Sequence, residues 1–130
     1  MHAGGQYNKY ALDKTKKLAE FLMEKGVNIV AGTHEHVVHG GNVEQITNNR
    51  IATYSLGNFT GLAGVHLAPV DKFAQYSIAW HVYISKTEKS IKIVKTTYII
   101  LKTIADHQKE YGIKTVPLYD LYMNEKEELI

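Results

Sequence analysis

The sequence predicts an α/β fold in which one amphipathic helix and one short strand precede a run of antiparallel strands. Apolar residues recur at helical spacing over Tyr10–Lys25, and apolar residues alternate with other residues over Gln75–Ser85. The length of 130 residues suits one domain or a segment of a larger one. The hydrophobic content of 45% can supply a core, so most of the chain is expected to fold.

The first predicted element is the helix over Tyr10–Lys25. Asn8 is expected to cap its start, and Gly26 is expected to end it in the left-handed conformation. Its apolar stripe, which we expect to pack on the core, comprises Ala11, Leu12, Thr15, Leu18, Ala19 and Leu22. The β-branched segment Val27–Ala31 then predicts a short buried strand.

A hairpin is predicted next, from Asn42–Thr47 and Ile51–Ser55, which flank the turn residues Asn48–Arg50. The segment Gly57–Phe73 contains three glycine or proline positions after its start and is expected to be an irregular loop.

A second, longer hairpin is predicted from Gln75–Ser85 and Ser90–Leu101, joined by the polar turn Lys86–Lys89. The inward face of its first strand is expected to carry Ile78, Trp80, Val82 and Ile84. Truncating a buried Trp80 to alanine would cost roughly 3–5 kcal/mol. A short helix is predicted over Tyr119–Leu129 in the charged tail.

The composition excludes several classes of function. A net charge of +2 with scattered lysines gives no reason to expect a nucleic-acid partner. No run approaches the roughly 20 apolar residues that cross a bilayer, and the first residues do not resemble a signal peptide. The absence of cysteine excludes thiolate metal sites, disulfides and cysteine nucleophiles, which leaves His, Asp, Glu and Asn as candidate ligands.

Three histidines, His34, His36 and His39, lie within six residues directly after the predicted strand. Neutral imidazole is the commonest metal ligand in proteins, and a His-x-His pair in a loop can direct two nitrogens at one point. Gly32 would let the backbone turn sharply enough for this. A His-rich surface loop without a function is the alternative interpretation.

Three segments in order resemble the CapA-type capsule biosynthesis proteins, which are associated with poly-γ-glutamate and have a calcineurin-like metallophosphatase fold. His2–Asn8 is similar to the family's His-Trp-Gly-x-Glu-Tyr segment, and Ala31–Val38 to its Gly-His-His-Pro-His-Val segment. Tyr54–Phe59 matches its Tyr-Ser-Leu-Gly-Asn-Phe signature without a change. The resemblance implies that residues 1–130 form one domain, the C-terminal segment of a layered α/β sandwich whose N-terminal half is absent from the sequence.

The resemblance also implies a site with two divalent metal ions of unknown identity. By this match His2, His34 and His36 are metal ligands, and His34 and Asn58 are the catalytic residues. Asn58 could equally be a structural turn residue, and Tyr54 is expected to lie in the core.

The implied function is the synthesis or attachment of an anionic envelope polymer resembling poly-γ-glutamate, by metal-assisted hydrolysis or transfer. The intact protein would be extracytoplasmic and associated with the membrane through an anchor outside this sequence.

The chain departs from the family pattern at four positions near the histidines. Gln6 stands where the family has glutamate, Ala3 where it has tryptophan, Glu35 where it has proline and His39 where it usually has glutamine. The aspartates that could bridge two ions do not follow predicted strands; they are Asp13, Asp71, Asp106 and Asp120. We therefore expect this chain alone to bind metal weakly and hydrolyse little, and its exposed sheet edges to favour pairing with another copy.

Two other functions remain open. One is a metal-dependent phosphoesterase of the same fold acting on nucleotides or phosphate esters, which upstream Asp-x-His and Asn-His-Asp segments would favour. The other is a non-catalytic module that binds polymer or partner proteins, which Gln6 and Ala3 favour. His66, His81 and His107 match nothing in the family pattern and are expected in a loop, on a sheet face or on the surface.

Overall fold

The computed structural model describes residues 1–41, 46, 48–61, 72–106 and 112–120, and it confirms the α/β class. The elements in chain order are α1 (Asp13–Glu24), β1 (Ile29–Ala31), β2 (Val38–His39), β3 (Ile51–Thr53), β4 (Ser55–Leu56), the 3-10 turn Lys72–Gln75, β5 (Tyr76–Lys86), β6 (Ile91–Asp106) and β7 (Gly112–Pro117). Among the described residues the strands form two two-stranded sheets and one three-stranded sheet. The layered sandwich implied by the resemblance is not established by this arrangement.

Helix α1 begins three residues later than the apolar spacing predicted. Its N-cap is Leu12, which makes no side-chain capping bond, so the prediction that Asn8 caps the helix is wrong. The backbone oxygen of Asn8 instead accepts a hydrogen bond from His39. The C-terminal prediction is confirmed, because Gly26 has φ +101° directly after the cap residue Lys25.

One small apolar cluster joins α1 to the first strands. Ala19, Val30 and Ala52 are buried in it, and Tyr54 packs against it, as predicted for a core tyrosine. Val27 is 37% exposed, so the buried strand predicted over Val27–Ala31 is shorter at its start.

The hairpin predicted around Asn48–Arg50 is wrong in its pairing. The segment Ile51–Ser55 divides at Tyr54, because β3 pairs in parallel with β1 and β4 pairs antiparallel with β2. All three residues of β3 are buried, which is typical of a parallel strand covered on both faces. Apart from Ile46, the other predicted strand, Asn42–Thr47, lies outside the described residues.

Gly32 allows the chain to pass close to the backbone of β3 and β4 as it leaves β1. A Cβ at this position would overlap the carbonyl oxygen of Tyr54. The Gly32 nitrogen donates to the Thr53 oxygen over 2.9 Å, and its oxygen accepts from the Leu56 nitrogen over 3.1 Å. The segment that follows β1 is therefore held beside β3 and β4, at the edge where both parallel strands end.

The second predicted hairpin is confirmed. Strands β5 and β6 pair antiparallel along their length, with a bulge between Tyr83 and Ile84, and a Thr87–Ser90 hydrogen bond closes the turn. Strand β6 continues to Asp106, beyond the predicted end at Leu101. Its last residues pair antiparallel with β7, a strand that was not predicted.

The predicted inward face of β5 is only half right. Ile78 is buried and Trp80 and Val82 are half-buried, but Ile84 is 52% exposed. Burial decreases along β5 because, in the described part of the chain, the far end of the hairpin has few neighbours besides its own two strands. The Trp80 indole nitrogen donates to the Thr96 hydroxyl over 2.5 Å rather than lying in an apolar core.

The side chain of Asn49 joins the hairpin to the rest of the chain. Its Oδ1 accepts from the Ile93 nitrogen over 2.6 Å, and its Nδ2 donates to the Ile91 oxygen over 3.0 Å. The Asn49 oxygen also accepts from the Asn28 side chain over 2.8 Å. Asn48 and Asn49 have φ values of 51° and 59°, so the predicted turn is present.

Several predictions fall partly outside the described residues. The ends of the predicted loop Gly57–Phe73 are described: Gly57 forms an antiparallel bridge with Ser77, and Phe73 lies in the 3-10 turn. Residues 118–120 are helical, but the rest of Tyr119–Leu129 is not described, nor are His66 and His107. Over the described ranges, no helix is long and apolar enough to cross a membrane.

Candidate functional site

The structure brings His2, His34 and His36 together. The ring centroids of His2 and His34 are 4.4 Å apart, and those of His34 and His36 are 6.4 Å apart. We call these three side chains the histidine cluster. It lies at the edge where β1 and β3 end, as α/β sites commonly do.

The N-terminal segment reaches the cluster by pairing with the chain beyond β1. His2 and Thr33 form a parallel bridge, in which the Thr33 nitrogen donates to the Met1 oxygen over 2.8 Å and the Ala3 nitrogen donates to the Thr33 oxygen over 3.2 Å. His2 and His34 thus occupy neighbouring positions on adjacent extended segments, which explains the short distance between their rings.

The backbone of the histidine loop adopts conformations that side chains rarely take. His34 has φ 108° and His36 has φ 64°, both in the region that favours glycine. Non-glycine residues persist there when surrounding contacts hold them, and such residues concentrate at functional sites. One of these contacts is the bond from the Tyr7 nitrogen to the Glu35 oxygen, 2.8 Å long.

Asn58 determines which nitrogen of His36 carries the proton. Its Nδ2 donates to two backbone oxygens, those of His36 over 3.0 Å and Ala74 over 3.1 Å, so the orientation of the amide is assigned by its partners. Its Oδ1 then lies 2.8 Å from His36 Nδ1 and can only accept a hydrogen bond, so the proton is on Nδ1. In the neutral ring Nε2 is therefore unprotonated and available as a ligand or base.

Tyr7 covers the other side of His36. The two rings are stacked, with centroids 5.0 Å apart and planes 13° from parallel. Tyr7 itself has φ 59°, so its backbone is bent to bring the ring over the histidine. Its contact with the cluster was not predicted; the only signal was its place in the His2–Asn8 segment.

Beneath the loop, Glu35 and His39 form a buried pair. Glu35 is fully buried and His39 is 5% exposed, and the Glu35 carboxylate contacts His39 Nδ1. His39 Nε2 lies 2.7 Å from the Asn8 oxygen, which only accepts, so Nε2 carries a proton. One further proton is shared between Nδ1 and the carboxylate, so the pair is neutral as a whole.

Gly4 packs closely against the carboxylate of this pair. A Cβ at Gly4 would overlap the Glu35 carboxylate, and its φ of +126° is one that glycine adopts readily. Thr15 of α1 donates to the same carboxylate over 3.4 Å. Glu35 therefore holds the N-terminal segment and the helix against the histidine loop.

The donors present do not make a complete site for the two metal ions that the resemblance implies. The cluster offers three imidazoles, whereas hard divalent ions held as a close pair need anionic oxygen as well. Glu35, which lies between His34 and His36 in the sequence, has its carboxylate in contact with His39 and Thr15. In the described part of the chain, no group of three or more His, Asp or Glu side chains is arranged to hold an ion.

The other predicted residues occupy different places. Asn58 is 8% exposed and uses both ends of its amide within the protein, so the geometry makes it a residue that orients His36. Its predicted catalytic role stays a prediction, as does that of His34. His39 has both ring nitrogens engaged away from the cluster, and His81 is exposed on β5.

Comparison with known families agrees with the resemblance seen in the motifs. Residues 1–61 match the model of the bacterial capsule synthesis protein family PGA_cap. The resemblance to capsule biosynthesis proteins is therefore confirmed for this part of the chain, which contains α1, β1 to β4 and the histidine cluster. No curated protein and no solved structure matches the chain.

Proposed function

Because residues 1–61 match the model of the bacterial capsule synthesis protein family, we propose that this chain acts on an anionic polymer of the cell envelope through the histidine cluster. The observation that supports the proposal is the convergence of His2, His34 and His36 at one strand edge. We propose that the polymer resembles poly-γ-glutamate and that the intact protein works outside the cytoplasm, attached to the membrane.

The chemistry proposed for the cluster follows from the state of its rings. Asn58 directs the unprotonated Nε2 of His36 away from itself, and Tyr7 limits the movement of the ring. A neutral imidazole held in this way can bind a cation or accept a proton from a nucleophile. His34 lies between His2 and His36 and could act with either.

We propose that the three imidazoles contribute nitrogen ligands to divalent ions, and that carboxylates from outside the described residues complete the site. Metal-assisted hydrolysis or transfer on the polymer would then be the reaction of the complete site. On its own the chain should bind one transition-metal ion weakly and hydrolyse little. Calorimetric titration with zinc and manganese, and an assay on a generic phosphate ester, test this with His34→Ala as control.

Tight binding of two ions per chain, or turnover that His34→Ala abolishes, would contradict this expectation. Turnover of the phosphate ester would favour the alternative enzyme function, that of a phosphoesterase of the same fold.

A non-catalytic module that binds the polymer is the second candidate function. The side-chain contacts of Glu35 favour it, because the acid between His34 and His36 in the sequence is buried against His39 and Thr15 and is not free to act as a base. Gln6, an exposed residue of the N-terminal segment that carries His2, is uncharged and does not supply a carboxylate in its place.

The experiment that tests the proposed function measures capsule polymer in cells that express the full-length gene product. His34→Ala and His36→Ala should each lower the amount of polymer strongly at unchanged protein level. His81→Ala is the matched control, because His81 is exposed on β5 and away from the cluster. Normal polymer in the His34 and His36 variants would contradict both candidate functions.

We also propose that a second copy of this chain pairs with the exposed edge of β5. Among the described strands, β5 pairs only with β6 apart from the bridge at Ser77, and exposed Tyr83 and Ile84 lie near its end. Unpaired edges of this kind favour association. Sedimentation velocity should show a concentration-dependent dimer, and a monomer at all concentrations would contradict the pairing.

A further inference from the structure

A second feature adjoins the histidine cluster at His2 and His34. A cleft of about 540 Å³ opens there, and His2, His34 and Lys14 contribute to its lining. Lys14 comes from the first turn of α1, whereas the histidines come from the N-terminal segment and the loop after β1. Three separate parts of the chain thus place nitrogen-bearing side chains around one space.

The charge in this cleft has one sign. Lys14 is exposed and has no ion pair among the described residues, in contrast to Lys16, which pairs with Asp13 at 3.3 Å. None of the residues that line the cleft is acidic. The Glu35 carboxylate lies behind Gly4, but the proton that it shares with His39 leaves that pair neutral. An anion in the cleft would therefore meet a lysine charge and no buried negative charge.

The cleft also has room for a ligand beside Lys14 and the two histidines. Ala3 and Gly4 form part of the lining, and neither has a side chain that could fill the space. Each neutral imidazole offers one N–H donor, and the lysine offers three. Carboxylate and phosphate oxygens are the acceptors that such a set of donors binds most strongly.

We propose that this cleft is an oxyanion-binding site, in which Lys14 pairs with the anion and His2 and His34 donate hydrogen bonds to it. This inference deepens the proposed function and rests on it for the source of the anion, a carboxylate group of the polymer. A phosphate ester offers the same chemistry and is the alternative source. Lys14 selects the ligand by charge, and the cluster then lies beside the bound group.

The test measures binding without metal, in the presence of a chelator, by following the imidazole resonances of His2 and His34. The probes are a γ-linked glutamate oligomer, the matching glutamine oligomer and inorganic phosphate. Lys14→Ala should weaken binding of the glutamate oligomer about tenfold, the scale of one charge-assisted contact. Lys14→Arg should retain it. Lys17→Ala is the matched control, since Lys17 is another exposed lysine of α1 that does not line the cleft.

Ala3→Trp supplies an independent variant, because a bulky side chain should fill the cleft and abolish binding while Lys14 is intact. Equal loss in the Lys14 and Lys17 alanine variants, or no binding of any anion by the unmodified chain, would overturn the site. Binding of phosphate but not of the glutamate oligomer would support the cleft and contradict the polymer as its ligand. These results are independent of capsule formation in cells, so failure of the cleft and failure of the proposed function can be told apart.

Discussion

Glu35 and His39 are four residues apart and contact each other in the interior, although neither lies in a helix. Because the two side chains are buried against each other, replacing either one alone leaves the other as a buried polar group without its partner. We expect Glu35→Leu and His39→Leu each to lower the free energy of unfolding by about 3–5 kcal/mol. The double variant should lose less than the sum of the two. Urea unfolding measures all three, and simple additivity would show that the two side chains do not interact.

Asn58 is expected to control His36 without being essential for folding. Asn58→Ala removes the bonds to His36 and Ala74 and should cost about 1–3 kcal/mol through unsatisfied buried groups. Nitrogen NMR of the neutral His36 ring should then report a mixture of tautomers instead of one. His81→Ala serves as the control spectrum. An unchanged His36 tautomer in the Asn58 variant would contradict the assignment.

Gly4 and Gly40 offer a matched pair of glycine substitutions. Gly4→Ala places a methyl group on the Glu35 carboxylate at a positive φ, so we expect a loss of about 2–4 kcal/mol from strain and overlap. Gly40→Ala meets no atom within 4 Å and should change stability by less than about 0.5 kcal/mol. Thermal unfolding compares them, and equal effects would mean that Glu35 moves aside freely.

Trp80 should matter less than the sequence pattern predicted. It is half-buried and hydrogen-bonded to Thr96, so Trp80→Ala should cost about 1.5–2.5 kcal/mol, half of what a core tryptophan loses. Ile51→Ala, at a fully buried position of β3, should cost about 2–5 kcal/mol although the side chain is smaller. Chemical denaturation ranks the two, and a larger loss at Trp80 would place the main core in the hairpin.

The parts of the fold that sequence could predict are those with a strong local period. Helix α1 and the β5–β6 hairpin follow from apolar spacing alone. The pairing of β3 with β1 does not, because two asparagines with positive φ are typical of a hairpin turn whatever strands lie on either side. Strand β7 is short and half-buried, and although Ile113, Thr115 and Val116 favour a strand, the glycine and proline at its two ends are typical of a loop.

The residues of the candidate site could be predicted from the sequence where they lie within a recognised motif. The resemblance makes His2, His34 and His36 ligands of one site, which requires them to lie together, and they do. The pair of Glu35 and His39 was not, because a spacing of four suggests contact only on a helix. Lys14 lies outside the apolar stripe of α1, and nothing in a helical wheel shows that another segment forms a cleft beside it.

The side chain of Asn49 has a consequence for how the molecule opens. The Asn49 side chain makes two hydrogen bonds to the backbone of Ile91 and Ile93. It therefore pairs with the edge of β6 as one residue of a neighbouring strand would. Through Asn28 the same residue is tied to the segment just before β1. The hairpin and residues 1–61 should therefore exchange their amide hydrogens as one cooperative unit. Loss of the Asn49 hydrogen bonds would let the hairpin open independently.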